Sequence, residues 1–317
     1  MLAIGLKTRG LKNNRMTLFN GPGRNKIVYI PSDLERQPLL TIVCGMKGVG
    51  KTWQSLKDID KYVVYNPKNG KRAGKALILD FNNEESYAKY KATLPKYIKN
   101  LTEPRARRIP PFDESGKQYT LEKMKEVAEY TIFNFKNGLL VLEDIDKYMV
   151  GAKGKSLIGA MTTNRHSGMD ILITHQSVSK VTQTEWQNAA FVRLHHQLDD
   201  VDRIADNLPN YPLMKIAQII VDRRYYDAVR QFKELGSISE DEFKKRRSFF
   251  VYVDMTEHKI IGGNLDEFKV AVMEFIRMKP MYISKRMKVG DAFGKQLNRE
   301  DAMRSIFQDY AHFYEQR

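Results

Sequence analysis

Residues 39–53 read LLTIVCGMKGVGKTW. A continuous, largely apolar run ends at Cys44 and meets a glycine, the pattern of a short strand buried on both faces. The next eight residues, from Gly45 to Thr52, fit G-x-x-x-x-G-K-[ST]. Glycines at these places let the backbone wrap phosphates with its N–H groups pointing inward. Lys51 supplies a point charge to the β- and γ-phosphates, and the Thr52 hydroxyl can ligate Mg²⁺. A helix opening here adds its positive N-terminal dipole. The expected nucleotide contacts are Gly45, Gly48, Val49, Gly50, Lys51, Thr52 and Trp53, with ATP and Mg²⁺ as cofactors.

Outward from this loop, strand and helix patterns alternate. Apolar strand-sized runs stand at 39–44, 76–80, 138–142, 170–174 and 189–194, with helical text at 51–64, 121–135 and 155–166. This alternation predicts an α/β fold, a P-loop NTPase with a mainly parallel central sheet flanked by helices. Residues 89–117 are basic and carry Pro104, Pro110 and Pro111, so they read as largely loop. Beyond Asp199 the text becomes helical at 201–207 and 211–221. A hairpin is expected from 249–254 and 259–261, then helices at 265–278 and 304–314. The expected organisation is a small basic N-terminal arm at 1–38, an ATPase core at 39–262 and a mixed, largely helical, basic C-terminal region at 263–317.

The strand at 138–142 empties into Glu143, Asp144 and Asp146. A nucleoside triphosphatase needs one carboxylate near the waters of the metal and another to orient the attacking water. By position Glu143 faces Mg²⁺ through water and Asp144 the nucleophile. A register shift gives those duties to Asp144 and Asp146 instead. A second patch, Asp80 to Glu85, closes the strand at 76–80. It reads equally well as part of the nucleotide site or as a helix cap at Asn82 or Asn83. Gln176 ends the strand at 170–174 and is placed to bond the γ-phosphate or its water. Arg165 precedes that strand and can serve a neighbouring subunit's γ-phosphate. His166, His175, His195 and His196 lack cysteine partners and H-E-x-x-H spacing, which argues against a transition-metal site.

The chain has 317 residues, 53 Lys plus Arg against 38 Asp plus Glu, and a formal charge of +15. With 42% apolar and 29% charged residues, its composition is globular and excludes wholesale disorder. The excess of positive charge points to a polyanionic partner, nucleic acid first. The single cysteine, Cys44, rules out an internal disulfide and reads as a buried thiol. No apolar run reaches the roughly 18–20 residues of a membrane helix. No signal peptide is visible, and a cytoplasmic setting is the expectation.

The order of these features is phosphate loop, acid-ended second strand, acidic third strand, then R-x-x-G-h-x-h-h-h-T-x-Q at 165–176. It resembles the FtsK–HerA superfamily of P-loop motor ATPases within the ASCE division. The short viral genome-packaging ATPases are the nearest in size, and the zonula occludens toxin-type phage ATPases are more distant. The resemblance covers 39–194. It implies an ATP-hydrolysing DNA translocase, most simply a viral packaging motor, acting as a homo-oligomeric ring, usually a hexamer, around double-stranded DNA. It implies a host-cytoplasmic or virion-associated setting, with a capsid vertex as a further partner. Arg165 would be the arginine finger acting in trans, with Arg193 a second candidate, and Gln176 the γ-phosphate sensor. Lys153, Lys155, Arg105, Arg107 and Arg108 would be candidate pore residues. The Glu143-Asp144 order departs from the family's Asp-Glu. Two alternatives from other classes are a virion-assembly or secretion ATPase acting on protein and a nucleotide-switched DNA-binding protein.

Overall fold

The apolar run after Leu39 forms strand β1, Leu40–Cys44, with all five residues buried. The structure is a computed structural model and describes residues 38–64, 73–149, 159, 167–289 and 296–315. Residues 1–37 of the expected arm at 1–38, the expected helix at 155–166 apart from Gly159, and with them Arg165, Lys153 and Lys155, lie outside the described residues.

Strand β1 sits inside a nine-stranded sheet. The others are β2 Lys75–Leu79, β3 Lys91–Ala92, β4 Ala106–Ile109, β5 Gly138–Leu142, β6 Met169–His175, β7 Ala189–His195, β8 Phe250–Asp254 and β9 Lys259–Ile261. Their spatial order is β3-β4-β2-β5-β6-β1-β7-β8-β9. From β3 through β7 every neighbouring pair is parallel, while β8 and β9 add on antiparallel. β6 therefore lies between the phosphate-loop strand β1 and the acidic strand β5. Register aligns the carboxyl ends: Cys44 pairs with His175, and Leu142 with Ile173. The loop at Gly45, the acids after Leu142 and Gln176 are thereby brought to one edge of the sheet.

Helices are α1 Lys51–Val63, α2 Leu121–Asn134, α3 Gln183–Asn188, α4 Tyr211–Val229, α5 Glu240–Arg247, α6 Leu265–Arg277, α7 Pro280–Val289 and α8 Arg299–Ala311. Alternation along the strands assigns the two faces. Val43, Ile78, Val141 and Leu172 pack with Ile59 and Tyr62 of α1. On the opposite face, Leu77, Leu79, Leu140 and Ile171 pack with Met124, Val127 and Ile132 of α2. Farther along that face Ile42, Cys44, Val192 and Val251 pack with Leu213, Ile216 and Ile220 of α4. The same apolar cluster continues through Phe268 and Phe275 of α6 to Ile306 of α8, on both sides of Gly262. Phe249 belongs to it, and Phe250 is buried against Tyr252 and Ile261, so that pair packs in the core.

Within residues 89–117, read as largely loop, β4 and the two-residue β3 beside it extend the parallel sheet. Alternation does not show in β4, where two arginines stand between buried Ala106 and Ile109. Arg108 belongs there because its Nη1 donates to the buried Asp80 carboxylate at 2.9 Å. The last helix starts at Arg299 rather than 304. Asn298 caps it by accepting from the Asp301 amide at 2.9 Å, and Glu300 and Asp301 complement its dipole.

Candidate active site

The phosphate loop owes its shape to three close constraints. Gly48 and Gly50 have φ of 85° and 80°, a region that favours glycine. Gly45 runs against β7: a Cβ there would stand 2.6 Å from the Cβ of His195. The amide of Gly45 donates to His175 at 3.3 Å and that of Met46 to His196 at 2.9 Å. Val49 is buried under the loop, while Trp53 is exposed with the Lys57 ammonium over its ring. Thr52 occupies the second position of α1, whose first turn contains no acid.

Lys51 folds back on this loop, donating to the carbonyls of Gly45 at 2.5 Å and Met46 at 3.0 Å. Burial lowers its pKa below the ordinary lysine value, and Asp144 and Glu143 work in the opposite direction. A half-buried ammonium, inward-wrapping glycines and an acid-free helix start fit a polyphosphate.

Glu143 points inward from the end of β5. Its two oxygens accept from the hydroxyls of Tyr87, at 2.5 Å, and Thr174. Burial raises its pKa, and these two hydrogen bonds oppose the rise. Each oxygen retains a second acceptor site, which suits contact with a hydrated Mg²⁺ through water. Among the described residues no cluster of three or more His, Cys, Asp or Glu could hold a metal ion directly.

Asp144 turns the other way, in a left-handed conformation with φ of 44°. Its amide donates to Thr174 Oγ1 at 2.7 Å. Its carboxylate accepts from Asn82 at 3.2 Å, lies 3.5 Å from Gln176 Nε2 and 3.7 Å from the Lys147 ammonium. Three strand ends thus meet at this carboxylate. The patch at 80–85 lines the site through Asn82. The short helical turn at Glu85–Tyr87 has no side-chain cap, from Asn82, Asn83 or any other residue, and Asp80 instead accepts from the Glu84 amide at 2.9 Å.

Asp146 is engaged elsewhere. It lies 2.9 Å from Nδ1 of His175, whose Nε2 is 3.3 Å from Glu185. His175 is fully buried. Burial disfavours its charge, but Asp146 and Glu185 together raise its pKa above the ordinary imidazole value. The unfolded chain releases that proton near pH 6.5 and the folded chain at higher pH. This contribution to stability is complete below about pH 6.5 and is lost as pH rises through the folded value. Urea unfolding across that interval should show stability falling with pH, and His175→Gln should flatten the slope.

Arg193 does not reach a neighbouring subunit. It is fully buried, donating to Asp58, to Ser55 Oγ at 2.7 Å and to the Lys51 carbonyl at 3.2 Å. It braces α1 against β7 from within, which removes it as a finger. Removing it strands the Asp58 carboxylate without its partner. Arg193→Ala should therefore lose roughly 3–5 kcal/mol of stability in urea unfolding.

Sequence reading missed Tyr87, which is 56 positions from its partner Glu143 and carries no motif. It missed Asp170 as well. This buried acid accepts from the Leu39 amide at 3.0 Å and the Tyr62 hydroxyl at 2.9 Å, tying α1 to β1 and β6. Thr174 lay in the quoted T-x-Q segment, so its position was visible even though its bond to Glu143 was not.

A parallel sheet with a glycine loop between β1 and α1, and acids at the end of β5, defines a P-loop NTPase of mixed helix-flanked architecture. The zonular occludens toxin (Zot) family signature matches residues 39–202, and the chain belongs to that family. No curated protein matches it significantly. Among solved structures it is similar to B204, the DNA-packaging ATPase of Sulfolobus turreted icosahedral virus. The identity is 13% and the TM-score 0.42, over 71% of this chain and 96% of that one. The genome packaging NTPase B204 of Sulfolobus turreted icosahedral virus 2, in complex with AMPPCP, is 14% identical at TM-score 0.41, over 70% and 95%. The N-terminal domain of zonular occludens toxin from Neisseria meningitidis is 16% identical at TM-score 0.29, over 54% and 90%. These likenesses are too distant to carry function.

Among the described residues no helix is long and apolar enough to cross a membrane.

Proposed function

We propose that the chain is an ATP-hydrolysing DNA translocase of the viral genome-packaging type, working as a homo-oligomer. The observation that supports it most is the convergence of Lys51, Glu143, Asp144 and Gln176 at one sheet edge, around a loop shaped for phosphates. The net charge of +15 favours a nucleic-acid track held through its backbone rather than its sequence.

In this reading the loop from Gly45 to Thr52 holds the triphosphate, and Lys51 leaves its two carbonyls for the β- and γ-oxygens. Mg²⁺, when bound, would offset negative charge developing on the phosphates. Thr52 and, through water, Glu143 would hold it, with Tyr87 and Thr174 fixing the Glu143 carboxylate. Asp144 orients the attacking water, and Gln176 beside it senses the γ-phosphate. Arg165 completes the site of the adjacent subunit. The bond of Asp146 to His175 favours Asp144 over Asp146 for the water.

Displacement of a third strand from a triplex on linear double-stranded DNA tests the motor. ATP should drive displacement, and Lys51→Ala should abolish it. ATP turnover without displacement, unchanged by DNA, would reject translocation and favour the assembly ATPase acting on protein.

A further inference from the structure

Helix α5 ends in four consecutive cations, Lys244, Lys245, Arg246 and Arg247. Three have carboxylates on their own helix. Lys244 lies 2.7 Å from Glu240, Lys245 3.8 Å from Glu242 and Arg246 2.7 Å from Glu242. Among the described residues Arg247 has no carboxylate within ion-pair distance. Its guanidinium lies 5.4 Å from the centre of the Phe243 ring. Its Nη2 comes within 4.0 Å of the place a Cβ on Gly48 would occupy.

The next residue makes the approach closer. A Cβ on Gly50 would stand 2.8 Å from the Cβ of Ser248. The turn from α5 into β8 therefore rests on both positive-φ glycines of the phosphate loop. A half-buried guanidinium beside this loop, stacked on an aromatic ring and without a carboxylate in ion-pair contact, is preorganised for an anion. Planar N–H forks match phosphate oxygens in pairs.

We propose that Arg247 is a phosphate-binding residue of its own subunit's site, donating to the polyphosphate of ATP held on residues 45–52. The assignment rests on the nucleotide reading of that loop. It adds a cation in cis to Lys51, distinct from the finger expected in trans. It makes the α5–β8 turn a part of the nucleotide site that responds to what the loop holds.

The test is equilibrium binding of ATP to the full chain, with thermal melting in the presence and absence of ATP. The variants are Lys51→Ala, Arg247→Ala, Arg247→Gln and Arg247→Lys. Arg247→Gln keeps an aliphatic stem on Phe243 and guards against a folding defect in the alanine variant. The expected result is that Arg247→Gln melts as the wild type does without nucleotide. It should bind ATP on the order of tenfold or more weakly. Arg247→Lys should recover part of the loss, since charge remains while the fork is gone. Wild-type ATP affinity in Arg247→Gln, with binding lost in Lys51→Ala, would overturn the assignment and leave the nucleotide reading standing. A wild-type chain that binds no ATP would overturn both.

Discussion

Lys51→Ala is expected to reduce ATP hydrolysis by roughly 10²–10³-fold or more, the scale of removing one preorganised charge from a phosphoryl-transfer site. The ammonium sits among loop carbonyls and is partly desolvated, with Glu143 and Asp144 as its nearest opposing charges. The fold should survive, because Lys51 contributes no apolar packing to the clusters around α1. Melting temperature without nucleotide should stay near that of the wild type, while stabilisation by ATP should shrink. Single-turnover hydrolysis with the two proteins side by side measures the effect.

Asp144→Asn is the second large effect. If Asp144 orients the attacking water, as proposed, its loss should slow hydrolysis by roughly 10²–10⁴-fold while leaving ATP binding intact. The substitution is conservative for the backbone. Asp144 has φ of 44°, and asparagine is among the residues that accept the left-handed region. The Thr174 bond to the Asp144 amide is unaffected by the side chain. A variant that binds ATP as tightly as the wild type and fails to turn it over would place the general base there. An Asp144→Asn chain with wild-type turnover would move that role to Glu143 or Asp146. In contrast, Asp146→Asn should act chiefly on stability, through its contact with buried His175.

Much of the fold was legible because its central strands are buried on both faces. Runs such as Gly138–Leu142 and Leu40–Cys44 are buried along their whole length, and their carboxyl termini carry the candidate site residues. The phosphate loop was legible because its glycines are required by backbone geometry. Strand β4 was obscured because its two inner positions are arginines, one neutralised by an acid 28 residues away. The inner wall of the site was obscured for a similar reason. Tyr87 on Glu143, His175 between Asp146 and Glu185, and Arg193 on Asp58 and Ser55 are partnerships between distant segments. No local pattern encodes them. Arg193 looked like a surface finger in sequence because it stands in a strand that ends beside the site. Only packing shows that it is sealed beneath α1.

The order Glu143-Asp144 places the two carboxylates in different surroundings. Glu143 turns into the protein, where two hydroxyls satisfy it, and Asp144 turns outward onto Asn82 and Gln176. The longer side chain spans the distance to Tyr87, while the shorter one stays at the open edge.

The most direct measurement is the steady-state rate of ATP hydrolysis by the purified chain, with and without double-stranded DNA, at low and moderate salt, beside Lys51→Ala. The predicted result is Lys51-dependent hydrolysis that DNA accelerates, with the acceleration weakening as salt rises. Hydrolysis indifferent to DNA at every salt concentration would contradict the translocase.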